Sequence, residues 1–287
     1  MSQAVPPGDY SAKFLDRTTR LLGEQAVAVL RRKTVAIAGC GGVGGAAALT
    51  MARMGIGGFT LADPGRFDEP DANRQWAAAV PTLGRNKAEV YAESIRSIQP
   101  DAPVRLVPRG ITDETIDEFL AGADFVVDGL DIAVPLPVRV RLYQRTSERG
   151  LHCISAPILG FGTLVMMAAP GGRGLDVVVP VLIAKAAAGT GLPAGLADYF
   201  FPDFLRAIEQ HAAQGKVPSI AVAPALSASV SCVEALLVLL RGVFPDWRQP
   251  VCLPEILVVD AMRMIYRAVD CAALFGPLPA KPSAPKT

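Results

Sequence analysis

Short apolar runs alternate with amphipathic segments along the first half of the chain. Apolar residues at 88, 91, 95 and 98, for example, have helical spacing, which buries one face of that segment. Strands are predicted at 34–38, 58–62, 104–107, 124–128 and 151–155, and helices at 46–52, 84–98, 111–120 and 134–149. This alternation predicts an α/β fold, a Rossmann-like, doubly wound and mainly parallel sheet with helices on both faces.

The second half of the chain departs from this alternation. The uncharged stretch 151–172 is interrupted by Ser155, Pro157 and Gly160, so it predicts two buried strands rather than a membrane span. Residues 219–240 have apolar positions at helical spacing. A final pair of strands at 256–260 and 262–268 predicts an antiparallel C-terminal extension. We expect a helical segment at 1–32, a main domain at 33–272 with a crossing loop or lid at 174–216, and a disordered tail at 273–287.

A cluster of glycines follows the first predicted strand. Gly39 permits a sharp bend, Gly41 and Gly42 let the backbone approach a phosphate, and Gly44 lets the helix pack closely on the strand. The amides at the start of the following helix form an anion site. Asp63 ends the second strand 24 residues after Gly39, which is the spacing of a carboxylate that holds ribose hydroxyls. These features predict nucleotide binding.

Charged residues lie at the same edge of the predicted sheet. Lys87 is expected in the exposed first turn of its helix, where a cation is disfavoured by the helix dipole, so an anion is expected near it. Asp131 follows the fourth strand. Because the carboxyl ends of parallel strands share one edge, we expect Asp63, Lys87 and Asp131 to lie near the glycine turn. The alternative for each cation is an ordinary solvated side chain.

Composition narrows the function classes. The net charge is +1 without a basic block, so neither nucleic acid nor an anionic membrane is indicated as a partner. The N-terminus lacks the apolar region of a signal peptide, and a cytoplasmic location is the default expectation. The five cysteines include no Cys-x-x-Cys pair and there are two histidines, so no zinc site is expected.

Six sequence motifs follow one another along the chain. They are Arg17-Thr-Thr-Arg-Leu-Leu-Gly23, Gly39-Cys-Gly-Gly-Val-Gly44, Asp63, Asn73-Arg74-Gln75, Gly84-Arg-Asn-Lys87 and Val127-Asp128-Gly-Leu-Asp131. In this order they resemble the ThiF/MoeB/HesA-type adenylyltransferases of the ubiquitin-activating enzyme superfamily. The matching pieces cover residues 10–170, with weaker similarity at 218–240 and 256–260.

The resemblance implies ATP in the glycine-turn pocket, with Asp63 on the ribose and Asn73, Arg74, Gln75 and Lys87 around the nucleotide. Arg74 and Lys87 would neutralise the phosphates, and Asp131 would hold Mg²⁺. Arg17 would reach across a homodimer into the partner's site. The implied product is an acyl adenylate, formed from the C-terminus of a ubiquitin-like or peptide partner or from a small acid.

The sequence also departs from the family pattern. A second acid two residues after the ribose-binding one is replaced by Gly65, a usual asparagine by Asp71, and another by Ile132. No cysteine lies between Cys153 and Cys232, where members that form a thioester or persulfide place theirs. We therefore expect adenylation without an enzyme-bound thioester at that place.

Two other function classes remain open at this stage. An NAD(P)-dependent oxidoreductase would use the same glycine turn, although the chain has no evident Tyr-x-x-x-Lys proton donor and this function leaves Arg74 and Lys87 without a role. A non-catalytic nucleotide-binding scaffold is the other alternative, because of the changes at Gly65, Asp71 and Ile132. Preference for ATP or NAD(P) separates the first two classes, and ATP binding without turnover identifies the third.

Overall fold

The computed structural model describes residues 7–172, 174–187, 192–212 and 217–276. A nine-stranded sheet forms the centre of the molecule. Its strands are β1 (Thr34–Ala38), β2 (Gly58–Ala62), β3 (Val104–Val107), β4 (Phe125–Asp128), β5 (His152–Ser155), β6 (Ile158–Leu159), β7 (Gly162–Ala168), β8 (Glu255–Asp260) and β9 (Ile265–Asp270).

The strand order places the glycine turn, which follows β1, inside the parallel part of the sheet. The order is β3-β2-β1-β4-β5-β7-β8-β9, with β6 paired to β7 outside this path. The first five strands are parallel, and β7, β8 and β9 are antiparallel to their neighbours. Because β1 lies between β2 and β4, the order of the strands reverses there, and such a switch point opens a crevice at the carboxyl ends. The predicted fold class is confirmed.

Helices cover both faces of the sheet. They are α1 (Pro7–Phe14), α2 (Asp16–Leu22), α3 (Glu24–Leu30), α4 (Gly42–Met54), α5 (Lys87–Ile98), α6 (Ile116–Leu120), α7 (Leu136–Glu148), α8 (Leu175–Ala187), α9 (Pro202–Ala212), α10 (Val222–Leu239) and α11 (Cys271–Phe275). Alternate residues of β1 enter two separate cores. Val35 and Ile37 face the core under α4, α5 and α10, and Ala36 and Ala38 face the core under α6, α7 and α8.

Between residues 7 and 32, the described part of the N-terminal segment forms three short helices. Gly23, with a φ of 83°, separates α2 from α3 in a conformation that favours glycine. Leu15 packs against Gly55 at the C-terminal end of α4, and the Tyr10 hydroxyl donates to the Ile98 carbonyl at the end of α5. The segment therefore packs on the main domain at the edge of the sheet opposite the glycine turn.

The expected crossing loop at 174–216 is wrong in its secondary structure, because the described residues there include α8 and α9. The buried residues Val177, Val178 and Val179 are consecutive, so α8 is apolar on several sides. It packs against α7 and β7, and a helix enclosed in this way lacks the polar face that produces a periodic pattern. The weak periodicity therefore came from burial and not from irregular structure.

The predicted tail begins too early. Residues 271–275 form α11, in which Leu274 and Phe275 are buried, and the Asp270 side chain caps this helix by accepting from the Ala272 amide. Residues 277–287 of the expected tail lie outside the described residues. The predicted helix at 111–120 is also shorter, since α6 begins at Ile116.

One described helix, α10, is long and apolar enough to cross a membrane by length and composition. It packs on α4 and β7, and its buried residues include Glu234, which forms an ion pair with Arg248. This position is that of a core helix, which explains its apolar composition without a membrane.

Candidate functional site

The turn between β1 and α4 requires glycine because of close backbone contacts. Gly39 has a φ of 86°, and a Cβ there would overlap the Gly129 carbonyl at the end of β4. A Cβ at Gly44 would overlap the Gly39 carbonyl. The start of α4 is therefore pressed directly onto the carboxyl ends of β1 and β4, as predicted for the glycine pattern.

The N-terminus of α4 provides amides without intrahelical acceptors. The helix begins at Gly42, and the preceding Gly41 makes no side-chain cap. The first amides of any α-helix lack a partner in the helix, and the helix dipole makes this end electropositive. Gly41 lies near the Gln75 side-chain amide, and Gly42 lies near the Arg74 carbonyl and the Pro224 ring. The loop that contains Arg74 and Gln75 thus adjoins the glycine turn.

Asp63 connects this turn to β2. Its Oδ2 accepts from the Cys40 amide at 2.6 Å, and its Oδ1 accepts from the Gly65 amide at 2.7 Å. A carboxylate has about four acceptor positions, so capacity remains for a ligand hydroxyl. Asp63 is 9% exposed at the carboxyl end of its strand. The structure therefore gives Asp63 a second role, since it holds the backbone of the glycine turn in place.

Lys87 is not in an exposed first turn, so that expectation is wrong. Its side chain is 15% exposed, its Nζ lies 2.9 Å from Asp71 Oδ2, and it lies over the Phe67 ring. Its methylene groups fill the space beside Gly65, where a Cβ would lie 3.5 Å from Lys87 Cε and 2.9 Å from Asp63 Oδ1. A side chain at position 65 would therefore lie against the Asp63 carboxylate, and an acidic one would add a second negative charge beside it.

Asp71 is a hydrogen-bond acceptor for several groups of the loop that contains Arg74 and Gln75. Its Oδ2 accepts from the Asp68 amide at 3.2 Å, its Oδ1 accepts from the Gln75 side chain, and Arg74 Nη2 lies 3.7 Å from Oδ1. Burial raises the pKa of Asp71, but the hydrogen bond from Lys87 and the bonds within the loop outweigh burial, and the net pKa is lowered. Asp71 is therefore an ionised carboxylate between the two cations that were expected on phosphates.

Asn86 fixes the position of α5 and hence of Lys87. Its side chain caps the helix by accepting from the Glu89 amide at 3.1 Å, and it donates to the carbonyl groups of Asp63 and Gly65 at 3.0 and 3.3 Å. The Lys87 amide also donates to the Gly65 carbonyl. The start of α5 is thus tied to the loop after β2.

Two buried polar atoms in or beside the loop that contains Arg74 and Gln75 have no hydrogen-bond partner within the described part of the chain. They are Gln75 Oε1 and Ser219 Oγ. The Asn73 side-chain amide donates to the Ser219 carbonyl at 3.1 Å, and Asn73 Oδ1 accepts from Arg74. Since buried polar groups are nearly always paired, the unpaired atoms indicate that a ligand or solvent belongs here.

Asp131 lies beyond the end of β4 and is exposed. Its Oδ1 accepts from the Ala133 amide at 3.1 Å, and its carbonyl lies 3.4 Å from Arg139 Nη1. Arg139 forms a buried ion pair with Asp128 at 2.8 Å, and the Tyr143 hydroxyl also donates to Asp128. This cluster holds the backbone that leads from β4 to Asp131. No described contact joins Asp131 to Lys87 or Arg74.

Arg17 is separated from the site of its own chain. It is an exposed residue of α2, next to the Leu15 that packs at the C-terminal end of α4. Helix α4 has 13 residues, so its two ends are about 18 Å apart. The structure brings together the glycine turn, Asp63, Asn73, Arg74, Gln75 and Lys87, and it leaves Arg17 apart from them.

The sequence profile of the ThiF family matches residues 15–275. The chain belongs to the ThiF family. It is 37% identical over 129 residues to the tRNA threonylcarbamoyladenosine dehydratase of Escherichia coli strain K12, which covers 45% of this chain and 48% of that protein. It is 28% identical over 161 residues to the sulfur carrier protein ThiS adenylyltransferase of the same organism. That alignment covers 56% of this chain and 62% of the other protein. The chain spans about half the length of the first of these ThiF-family relatives and less than two thirds of the second.

A solved structure similar in fold is that of E. coli MccB with MccA-N7isoASN. The TM-score is 0.68 at 17% identity, with 92% of this chain and 74% of that chain covered. At this identity the likeness concerns the fold alone. The likeness in fold covers most of the chain, as the family profile does. The resemblance to the ThiF family drawn from the motifs is confirmed.

The residues of this ThiF-family site fit a nucleotide with Mg²⁺. The open amides of α4, the cations Lys87 and Arg74 and the unpaired Gln75 Oε1 belong to the glycine turn and the loop beside it, and they match the chemistry of a polyphosphate and its polar neighbours. Asp131 supplies a carboxylate, and Mg²⁺ is commonly bound by one or two carboxylates together with substrate phosphates. The described residues contain no group of three metal-ligating side chains, which is compatible with that mode of binding.

Several residues of the ThiF-family site were not recognised from the sequence. Asp71 was noted only as a departure, and its ion pair with Lys87 joins residues 16 positions apart. Asn86 carried a local signal, since an asparagine three residues before Glu89 is a helix-capping pattern. The packing of Pro224 against Gly42 and the buried Arg139 had no local signal, because each depends on contacts between distant elements.

Proposed function

We propose that this protein is an ATP-dependent adenylyltransferase that activates a carboxylate. One observation carries the proposal. Lys87 and Arg74 both pair with Asp71, on the loop whose Arg74 carbonyl and Gln75 side chain adjoin the glycine turn at the start of α4. Two cations at the N-terminus of a helix form a site for a polyphosphate, and membership of the ThiF family supports ATP as its source.

Each residue of the crevice has a role in holding the nucleotide. The glycine turn and the α4 amides bind phosphate oxygens, and the remaining acceptor positions of Asp63 take the ribose hydroxyls. Arg74 and Lys87 neutralise phosphate charge. Asn73 and Gln75 orient this loop, because Asn73 links it to the Ser219 carbonyl and Gln75 bonds to Asp71.

In the reaction, a carboxylate oxygen of the substrate attacks the α-phosphorus of ATP. A new bond forms between that oxygen and phosphorus, the bond from the α-phosphorus to the bridging oxygen breaks, and pyrophosphate leaves with the electron pair. The attack brings one anion to another, so fixed cations beside the phosphates lower the barrier by offsetting the repulsion. Asp131 would hold Mg²⁺, which supplies further neutralisation of the phosphates when bound.

The acyl adenylate is passed to an external nucleophile in this proposal. Burial raises the pKa of the Cys40 thiol well above its usual range, and nearby Asp63 raises it further, so this cysteine in the turn remains a thiol. Burial likewise raises the pKa of Cys153 and of Cys232. A buried thiol is a poor nucleophile, which supports transfer without an enzyme-bound thioester on these residues.

The homodimer is part of the proposal. Arg17 lies at the end of α4 that is remote from the glycine turn, is exposed, and has no side-chain partner among the described residues. A second subunit that presents its Arg17 to this site would add a third cation to the phosphates. The names of the two relatives point to different carboxylate carriers, a tRNA nucleoside and a sulfur carrier protein. Both classes therefore belong among the candidate substrates, together with peptides and small acids.

ATP–pyrophosphate exchange with Mg²⁺ tests the proposal. The substrates are threonylcarbamoyladenosine-containing tRNA, peptides with a free C-terminus and small carboxylic acids. Lys87→Ala should reduce exchange at least about 100-fold, since a cation on the phosphates is lost where water is excluded. Lys33→Ala is the matched control, because Lys33 pairs with Asp124 at the amino edge of the sheet. Asp131→Ala should lose exchange while it still binds nucleotide.

The outcomes separate the three function classes. Carboxylate-dependent exchange that is lost in Lys87→Ala and kept in Lys33→Ala supports the adenylyltransferase. Binding of NAD(P) without binding of ATP refutes it and favours the oxidoreductase alternative, which membership of the ThiF family does not support. ATP binding with no exchange for any substrate class counts against catalysis and favours the scaffold.

A further inference from the structure

The cations of the candidate phosphate site already have an internal counter-ion. Lys87 Nζ lies 2.9 Å from Asp71 Oδ2, and Arg74 Nη2 lies 3.7 Å from Asp71 Oδ1. Asp71 is 6% exposed and lies at a position where the resemblance leads one to expect asparagine. No other acidic side chain forms a described ion pair with Lys87 or Arg74.

The same carboxylate would repel the phosphates of a bound nucleotide. With Asp71 ionised, the formal charge of the three ion-paired side chains is +1, from Lys87 (+1), Arg74 (+1) and Asp71 (−1). With a neutral residue at position 71 it would be +2. The lowered pKa of Asp71 means that the carboxylate stays ionised at neutral pH. The Asp71 and Lys87 side chains are 8% and 15% exposed, so their interaction is screened less than at an open surface, whereas the Arg74 side chain is 27% exposed and contributes less.

We propose that Asp71 competes with the nucleotide phosphates for Lys87 and Arg74, and so limits how tightly this site holds polyphosphates. This inference rests on the proposed function. When ATP binds, the Lys87 ammonium transfers from the Asp71 carboxylate to a phosphate oxygen. When pyrophosphate leaves, Asp71 takes the ammonium back. The competition weakens binding of ATP and of pyrophosphate together, and it favours release of pyrophosphate.

Asparagine can replace Asp71 while the hydrogen bonds of the loop to Asp68 and Gln75 are kept. In Asp71→Asn, the side-chain oxygen can still accept from the Asp68 amide, which keeps the loop capped. The new side-chain amide can donate to Gln75 after a flip of the Gln75 amide, and this would use the Oε1 atom that is now unpaired. Lys87 then lacks its carboxylate partner and is available to a phosphate.

The experiment compares binding of ATP, ADP, AMP and adenosine by calorimetry in the full-length chain. Asp71→Asn should bind ATP at least about 10-fold more tightly, which equals about 1.4 kcal/mol. The gain should fall with the number of phosphates and vanish for adenosine. Glu69→Gln is the matched control, since it removes one exposed negative charge from the same loop without a contact to Lys87.

A double substitution tests whether the effect acts through Lys87. In the Lys87→Ala background, Asp71→Asn should give a clearly smaller gain in ATP affinity. A loop that is merely distorted would instead weaken adenosine and ATP alike.

Three results would overturn the inference. They are an unchanged or weaker ATP affinity in Asp71→Asn, an equal gain for adenosine, and an equal gain in Glu69→Gln. If the wild-type protein binds ATP and shows exchange, any of these refutes the role of Asp71 and leaves the proposed function intact. If neither wild type nor Asp71→Asn binds any nucleotide, both proposals are wrong.

Discussion

Arg139→Met would remove the guanidinium group from the buried cluster at the end of β4. In the native protein this group forms an ion pair with Asp128 at 2.8 Å and contacts the Asp131 carbonyl at 3.4 Å. The Asp128 side chain is fully buried and the Arg139 side chain is 7% exposed. Methionine fills a similar volume without the charge, so the change leaves a buried carboxylate with only the Tyr143 hydroxyl and the Leu130 amide as donors.

The expected loss of stability follows from the burial of this pair. Removal of one partner from a buried ion pair costs about 3–5 kcal/mol, because the other charge remains without compensation. Tyr143→Phe removes one hydrogen bond to the same carboxylate, which should cost about 1.5–3 kcal/mol. The double variant Asp128→Leu/Arg139→Met should cost less than Arg139→Met alone, since no unpaired charge remains.

Urea unfolding at neutral pH, followed by circular dichroism, measures these differences. Arg141→Met is the matched control on the same helix, because Arg141 pairs with Asp113 at the surface, where both side chains are about half exposed. An exposed pair contributes at most about 1 kcal/mol. If Arg139→Met loses no more stability than Arg141→Met, the cluster does not stabilise the end of β4 and the reasoning is refuted.

Three further predictions concern packing, pH and thiol reactivity. A Cβ at position 45 would overlap the Tyr91 ring, so Gly45→Ala should lower the free energy of unfolding by about 1–3 kcal/mol in thermal denaturation. Adding Tyr91→Leu to Gly45→Ala should recover part of this loss. Equal stability of Gly45→Ala and the wild type would contradict this prediction. Burial lowers the pKa of His152, so its contribution to stability is present above the ordinary histidine pKa and is lost as pH falls through the lowered value. His152→Gln should then flatten the stability profile below about pH 6.5, and an unchanged profile would be evidence against it. Burial raises the pKa of the Cys232 thiol to about 12. Iodoacetamide should therefore label the half-buried Cys252 before it labels Cys232, which peptide mapping measures. The reverse order would show that the native core opens.

The local parts of the fold could be predicted from the sequence. The strands β1, β2 and β3 lie at the predicted positions, because each is a short apolar run ended by glycine, proline or a charged residue. The glycine turn was also predictable, since Gly39 and Gly44 are required by backbone contacts within one strand–turn–helix unit and its neighbour. Such signals lie within a few residues, so they can be read without knowledge of the tertiary contacts.

The α8 and α11 segments could not be predicted in the same way. The α8 pattern has no polar face because α7 and β7 enclose it. The α11 helix forms because Leu274 and Phe275 are buried in the core. In both cases the environment that determines the conformation comes from residues distant in sequence.

The sequence by itself determined the ThiF-type fold, the glycine turn and the set of charged residues at the carboxyl edge of the sheet. The tertiary structure alone decided how those charges are arranged. Lys87 is paired with Asp71 instead of facing solvent, Asp131 is positioned through Arg139, and Arg17 lies apart from the site of its own chain. The physical reason is that local pattern specifies elements, whereas the partner of a charge depends on which elements pack together.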